Sequence, residues 1–170
     1  MKRAILSFVL LVLSWNLAAA QDAASQFIGV WHLVLIERHT PDGDIVPLNR
    51  PYSTGQIIYT DTGHFALQFS RPDRLRFSAE EPSAEEGLEA FKDYGARYGT
   101  YTLNEAEDLV IHHQQNSLAP FTPESADMIY SYEFSNNHLI WTTAPRVIDD
   151  PAHRFNGTEI FQTYSFERAD

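Results

Sequence analysis

From Phe27 onward, short runs rich in Val, Ile, Tyr, Phe, Trp and Thr alternate with clusters of turn residues. That pattern predicts strands that each bury one face. The runs cover 27–38, 56–60, 64–71, 98–103, 109–116, 128–135, 138–144 and 158–168. Some connections between them are very short. Asp61-Thr62-Gly63 is a glycine-containing hairpin loop, 104–108 is an acidic turn, and Asn136-Asn137 suits the positive φ of a tight type I′ turn. Eight strands joined largely as sequential hairpins make an all-β sandwich or barrel, with no internal repeat or low-complexity tract.

The segment 83–92 breaks this rhythm. Glu85 and Glu86 open it, Leu88 and Phe91 stand three apart, and Lys92 lies near its end. Ser83 followed three residues later by Glu86 has the spacing of a capping box, so one short helix is predicted, entered through Pro82. The preceding 71–81, with Pro72 and mixed charge, reads as a long irregular connection.

Only one face of a strand can line an interior, so phase bears on function. In 27–38 both phases are apolar: Phe27, Trp31, Leu33 and Leu35 oppose Ile28, Val30, Val34 and Ile36. In 64–71, His64, Ala66, Gln68 and Ser70 oppose Phe65, Leu67 and Phe69. In 109–116, Leu109, Ile111, His113 and Gln115 oppose Val110, His112, Gln114 and Asn116. Which phase faces inward stays open. A filled core has no room for Gln68, His113 or Gln115, whereas a ligand cavity would use them.

Composition narrows the function classes. The 170 residues make one domain, and 13% aromatic residues suffice to fill one core or line one pocket. With 12 basic against 23 acidic residues, a net charge of −11 and no cluster of Lys and Arg, a nucleic-acid partner is excluded. The chain has no Cys, which removes thiol nucleophiles, Cys-zinc sites and iron–sulfur clusters.

The first twenty residues form a separate object. Lys2 and Arg3 precede an apolar run over 4–13 and a small-residue end at Ala18, Ala19 and Ala20. This is the layout of a secretory signal peptide, with cleavage expected after Ala20 and a mature barrel domain over 21–170. The expected location is periplasmic or secreted, without a stable membrane anchor after cleavage. Losing Lys2 and Arg3 shifts the net charge from −11 to −13. A mature chain of this length needs no disulfide even in an oxidising compartment.

Further along, Gly29-Val30-Trp31 followed by Leu33 resembles the Gly-x-Trp signature of lipocalins and related calycin barrels. The likeness to bacterial and fungal lipocalin-like domain proteins extends to Tyr59–Gly63 (YTDTG), Gln68, Arg71-Pro72-Asp73-Arg74, Tyr98-Gly99-Thr100-Tyr101, the His112-His113 pair, and Pro145 after Thr142-Thr143. Leu75 replaces the proline expected in the Arg-Pro-x-Arg-Pro run, and 118–124 lacks the expected Pro-Asn-x-x-Gly turn. The resemblance implies an eight-stranded antiparallel up-and-down barrel with one short helix near a mouth and a cavity for one small apolar ligand. It also implies that Arg168, from the last strand, covers Trp31 at the barrel floor by cation–π stacking.

Candidate chemistry is sparse. None of the seven histidines forms H-x-H or H-E-x-x-H, so no metal site is expected. His112 and His113 are adjacent on a strand and face opposite ways; His113, in phase with Leu109 and Ile111, is the favoured cavity residue and the one candidate for catalysis. Arg71, with Arg74 and Arg76, either clamps a carboxylate at the mouth or pairs with Asp73, Glu80, Glu81 or Glu85. Tyr59, Tyr98, Tyr101, Tyr130 and Tyr132 combine apolar area with a hydroxyl, which suits a pocket for an oxygenated hydrophobe. With Trp141, Gln68, His113 and Gln115 they complete the expected ligand-lining set. No nucleophile elbow, phosphate loop or dinucleotide fingerprint is present, and no cofactor is expected. Three readings follow: an exported protein that binds a small hydrophobic molecule, a cofactor-free isomerase or cyclase in which His113 and a carboxylate or Tyr move protons on a bound polyene or polyketide-like substrate, or a periplasmic interaction module with a filled core.

Overall fold

A computed structural model describes residues 22–48, 51–119 and 127–169. The expected signal peptide over 1–20 lies outside the described residues. The elements are α1 (Ala23–Phe27), β1 (Gly29–His39), β2 (Thr54–Tyr59), β3 (His64–Ser70), α2 (Ala84–Lys92), β4 (Tyr94–Asn104), β5 (Leu109–Ser117), β6 (Asp127–Ser135), β7 (His138–Thr143), the two-residue β8 (Arg146–Val147) and β9 (Glu159–Arg168). Each strand from β1 to β7 pairs antiparallel with the next, β7 pairs with β9, and β9 returns to β1. The result is a closed eight-stranded up-and-down barrel, with β8 as a short addition on the start of β9. Closure leaves the barrel strands no free edge.

The two ends of the barrel differ. Three short turns, 60–63, 105–108 and 136–137, join strands at one end, and α1 folds beneath that end. The chain leaves β1, β3, β5 and β7 for the longer connections at the other end. In the tight turns Gly63 takes φ 76°, Asp108 52° and Asn136 55°. Asn137 stays at negative φ, so the Asn pair is not the type I′ turn expected, which needs both residues positive.

Inward positions follow the alternation, with two interruptions. The pairing of β1 with β9 shifts register between Leu33 and Leu35. Trp31 and Leu33 are buried before the bulge and Ile36 and Arg38 after it, while Val34 and Leu35 are about half exposed, at 49% and 48%. This bulge explains why both phases of the first run are apolar: the inward phase changes partway along. A second irregularity lies between Tyr98 and Gly99, where Tyr98 faces Asn116 and Gly99 faces Gln114, leaving Gln115 unopposed.

The filled part of the barrel sits at the short-turn end. Phe27 is fully buried and meets Tyr59, Tyr132 and Phe134 edge-on at 4.9–5.0 Å. Above it lie Trp31, Tyr59, His112, Leu139, Trp141 and Phe166, each at most 2% exposed. Burying a side chain such as Phe27 contributes about 1.5–3 kcal/mol, and each well-placed aromatic pair about 0.5–1.5 kcal/mol more. As the resemblance implied, the Arg168 guanidinium lies over the Trp31 ring, 4.2 Å from its centroid. It also donates to the Ile28 carbonyl at 2.8 Å and to the Gln26 carbonyl, while Trp31 Nε1 donates to the Phe27 carbonyl at 2.8 Å. One arginine therefore ties the last strand to the chain that leaves α1. A separate small cluster packs Val46, in the chain that follows β1, against Ile148, Phe155 and Ile160.

The expected helix is α2. Ser83 caps it: its hydroxyl accepts from the Glu86 backbone N–H at 3.2 Å, and Glu86 accepts in return from the Ser83 N–H at 2.8 Å. Those bonds, with a further one from the Ser78 N–H, hold the Glu86 carboxyl down to about 2. A second helix, α1, occupies part of what reads in sequence as the first strand. Asp22 caps it by accepting from the Ala24 N–H at 3.3 Å, and the turn swings Phe27 under the barrel.

Candidate functional site

Two regions of the interior have distinct chemistry. The first is a polar centre inside the packed half. His112 comes from the even phase of β5, with Val110 and Gln114, and is fully buried. Its ring stacks on Phe65 at 4.1 Å, meets Trp141 edge-on at 4.9 Å, and brings Nε2 to 2.7 Å from the Tyr59 hydroxyl. Burial, reinforced by the nearby Arg97 and His113, pushes the imidazole well below its ordinary range, so it is neutral at pH 7. Burial likewise raises the Tyr59 hydroxyl, so the pair is uncharged. His112 Nδ1 and Trp141 Nε1 have no hydrogen-bond partner among the described residues.

The second region is a cavity of about 420 Å³ at the long-loop end. Apolar walls come from Ile36, Leu48, Leu67 and Phe69, with Tyr52 and Tyr94 beside them. Polar groups converge from four strands: Arg38 on β1, Arg97 on β4, Gln114 on β5, and Gln162 and Tyr164 on β9. Ser117, Leu118 and Ala119 complete one side. Arg97 is held by the Tyr130 hydroxyl at 3.0 Å and by Met128 Sδ at 2.8 Å, and Arg38 donates to the Pro47 carbonyl at 3.2 Å. The Tyr164 hydroxyl is pushed up to about 12 by burial and by Tyr130, against the opposing pull of Arg97, Arg38 and Arg146. This is the composition of a small-molecule pocket: mostly apolar, with a few convergent polar groups.

None of the ten residues expected to line a ligand is among those that line this cavity. Tyr59, Tyr130 and Trp141 face inward but belong to the packed half; Tyr130 reaches the cavity's lining through Arg97 and Tyr164, and Trp141 through Tyr164. Tyr132 packs on Phe27, and the Tyr101 hydroxyl donates to the Thr60 carbonyl at 3.1 Å, both toward the closed end. Gln68 belongs to the outward phase of β3, because Phe65, Leu67 and Phe69 fill the inner one; its amide oxygen accepts from Gln56 at 3.1 Å across the strands. Tyr98 is 51% exposed and Gln115 is exposed beside the β4–β5 irregularity. Arg71 pairs with Asp93 at 3.1 Å, a carboxylate outside the four considered for it, while Arg74 lies over Tyr94 at 5.1 Å and donates to the Ala90 carbonyl.

His113 faces outward, reversing the favoured phase of β5. Its Nδ1 lies 2.7 Å from Asp127 and its Nε2 3.0 Å from Thr102 on the outer wall. The carboxylate–imidazole–hydroxyl order is that of a proton relay, yet it stands outside the barrel, separated by the sheet from any guest in the cavity. His113 is thus no proton carrier for an interior substrate. The cavity residues that the sequence reading missed, Arg38 and Arg97 above all, come from strand positions where a charged residue ordinarily signals the solvent face. The phase of Arg97 with Tyr101 and Leu103 was the available signal.

Residues 28–160 match the sequence profile of the lipocalin-like domain family. The chain belongs to that family. No curated protein matches it. Within this lipocalin-like barrel, the aromatic interior divides into a packed floor and a hollow mouth with room for a small molecule.

Proposed function

We propose that this lipocalin-like protein is an exported carrier that takes one small hydrophobic molecule into the open half of its barrel. The observation that carries the reading is the cavity of about 420 Å³, bounded by Ile36, Leu67, Phe69 and Tyr164 and backed by a packed aromatic floor. That volume falls in the range of small-ligand pockets. Export rests on the basic start, apolar run and Ala-rich end of residues 1–20. The periplasm or the extracellular medium is the proposed location. A barrel with a preformed cavity takes up an apolar guest with little ordering cost.

Native mass spectrometry of the protein gently extracted from its own host tests this. The expected result is a bound species a few hundred daltons in mass, in the range of one small lipid or aromatic metabolite, that leaves on denaturation. A chain that carries nothing, and that shows no saturable uptake of 1-octanol when titrated, overturns the carrier reading.

A further inference from the structure

Among the described residues, the cavity lining includes two guanidiniums and no carboxylate. Arg38 is 8% exposed and Arg97 is partly buried, and both line the same space. Among the described residues neither forms an ion pair, although acidic residues outnumber basic ones 23 to 12. Their existing partners are neutral: the Pro47 carbonyl for Arg38, and the Tyr130 hydroxyl and Met128 sulfur for Arg97. Nε of each is buried, with no hydrogen-bond partner among the described residues. A guanidinium carries five N–H donors, so both retain unused donor capacity.

Removing a charge from water without compensation is costly, and an unpaired buried donor costs further. Two such groups at one cavity, in a chain with so many carboxylates to spare, mark a place built for an anion brought from outside. Arg146 adds a third positive charge close enough to act on Arg38 and Tyr164. Gln114 and Gln162 offer amide groups to the same space. The rest of the wall is aliphatic or aromatic, so the anion must carry an apolar body. A planar carboxylate matches the planar fork of Arg.

We infer that the ligand is an amphipathic carboxylic acid, bound as its anion with the head group between Arg38 and Arg97 and its apolar part against Leu67, Phe69 and Tyr52. This rests on the carrier reading above and specifies the ligand class of the same cavity.

Isothermal titration with octanoate and with 1-octanol, which share a chain and differ in head group, separates the two claims. The expected result is that octanoate binds at least about tenfold more tightly than 1-octanol, the effect of a charge-assisted hydrogen bond. In Arg97→Met and in Arg38→Met, each made singly, that preference falls to about threefold or less. Replacing an unpaired buried charge by an apolar side chain of similar length is commonly tolerated, and the second variant serves if the first does not fold. Equal binding of acid and alcohol overturns the carboxylate inference and leaves the carrier reading standing. A preference for octanoate that survives in both variants also overturns it. Failure of both compounds to bind counts against the carrier reading itself.

Discussion

The Tyr59 hydroxyl lies 2.7 Å from Nε2 of His112, and both side chains are almost completely sealed from solvent. This bond joins β2 to β5 across the barrel interior, on top of the aromatic floor. Among the described residues Nδ1 has no partner, and His112 depends on Tyr59 for its side-chain hydrogen bond. Tyr59→Phe should therefore destabilise the fold by about 1–3 kcal/mol in urea denaturation, the cost of orphaning a buried polar group. Adding His112→Phe removes both partners. The double variant should lose less than the sum of the two single changes, and strict additivity would count against an energetic link between them.

The same burial makes stability depend on pH. The folded state holds His112 well below the ordinary imidazole value of about 6.5, which the unfolded chain regains. Between those two values the unfolded state binds the extra proton. Stability is then full above about pH 6.5 and falls as the pH drops through that value, by at most about 1.4 kcal/mol per pH unit for this group. Urea midpoints between pH 7.5 and 5.5 should show a steeper decline in the native protein than in His112→Gln. Parallel declines would contradict the assignment.

At the floor, Arg168 combines stacking on Trp31 with two backbone hydrogen bonds near α1. Arg168→Ala should cost about 1–3 kcal/mol, since both the cation–π contact and charge-assisted bonds are lost. Faster amide exchange over 23–31 should accompany it, because α1 loses its tie to the last strand. The mouth cavity lies at the opposite end, so saturable 1-octanol binding should persist. Unchanged exchange at α1 would refute this role.

Gly99 marks the second irregularity. A methyl group there would stand 2.0 Å from the His113 carbonyl oxygen and 3.0 Å from the Gln115 nitrogen, both backbone atoms. Gly99→Ala thus forces β5 away from β4, and a loss of about 1–3 kcal/mol or more in denaturant stability is expected. A loss under about 0.5 kcal/mol would mean the strands are not so closely apposed.

Local chemistry made most of the architecture legible in the sequence. The eight runs correspond to the eight barrel strands, and Ser83 with Glu86 announced the capping box because all its partners lie within four residues. What stayed hidden depends on the closed barrel. His112 and His113 are chemically identical neighbours, and only the pairing of β5 with β4 and β6 decides that one is sealed inside and the other meets Asp127 outside. The bulge after Leu33 brings Arg38 into the inward phase, an exchange that alternation alone does not reveal. Phe27 looked like strand because it continues an apolar run, yet it serves as the plug beneath the barrel. Of the tyrosines expected around a guest, Tyr59, Tyr101 and Tyr132 instead pack on Phe27 at the floor, and the open space lies at the mouth.

That division of one barrel into a packed floor and a receptive mouth is most directly tested by titrating 15N-labelled protein with 1-octanol and following its amide resonances. Saturable shifts should concentrate at Leu67, Phe69, Arg97, Gln114 and Tyr164, while Phe27, Trp31, Tyr132 and Phe134 stay in place. Shifts centred on the floor residues, or no saturable shift anywhere, would contradict the account.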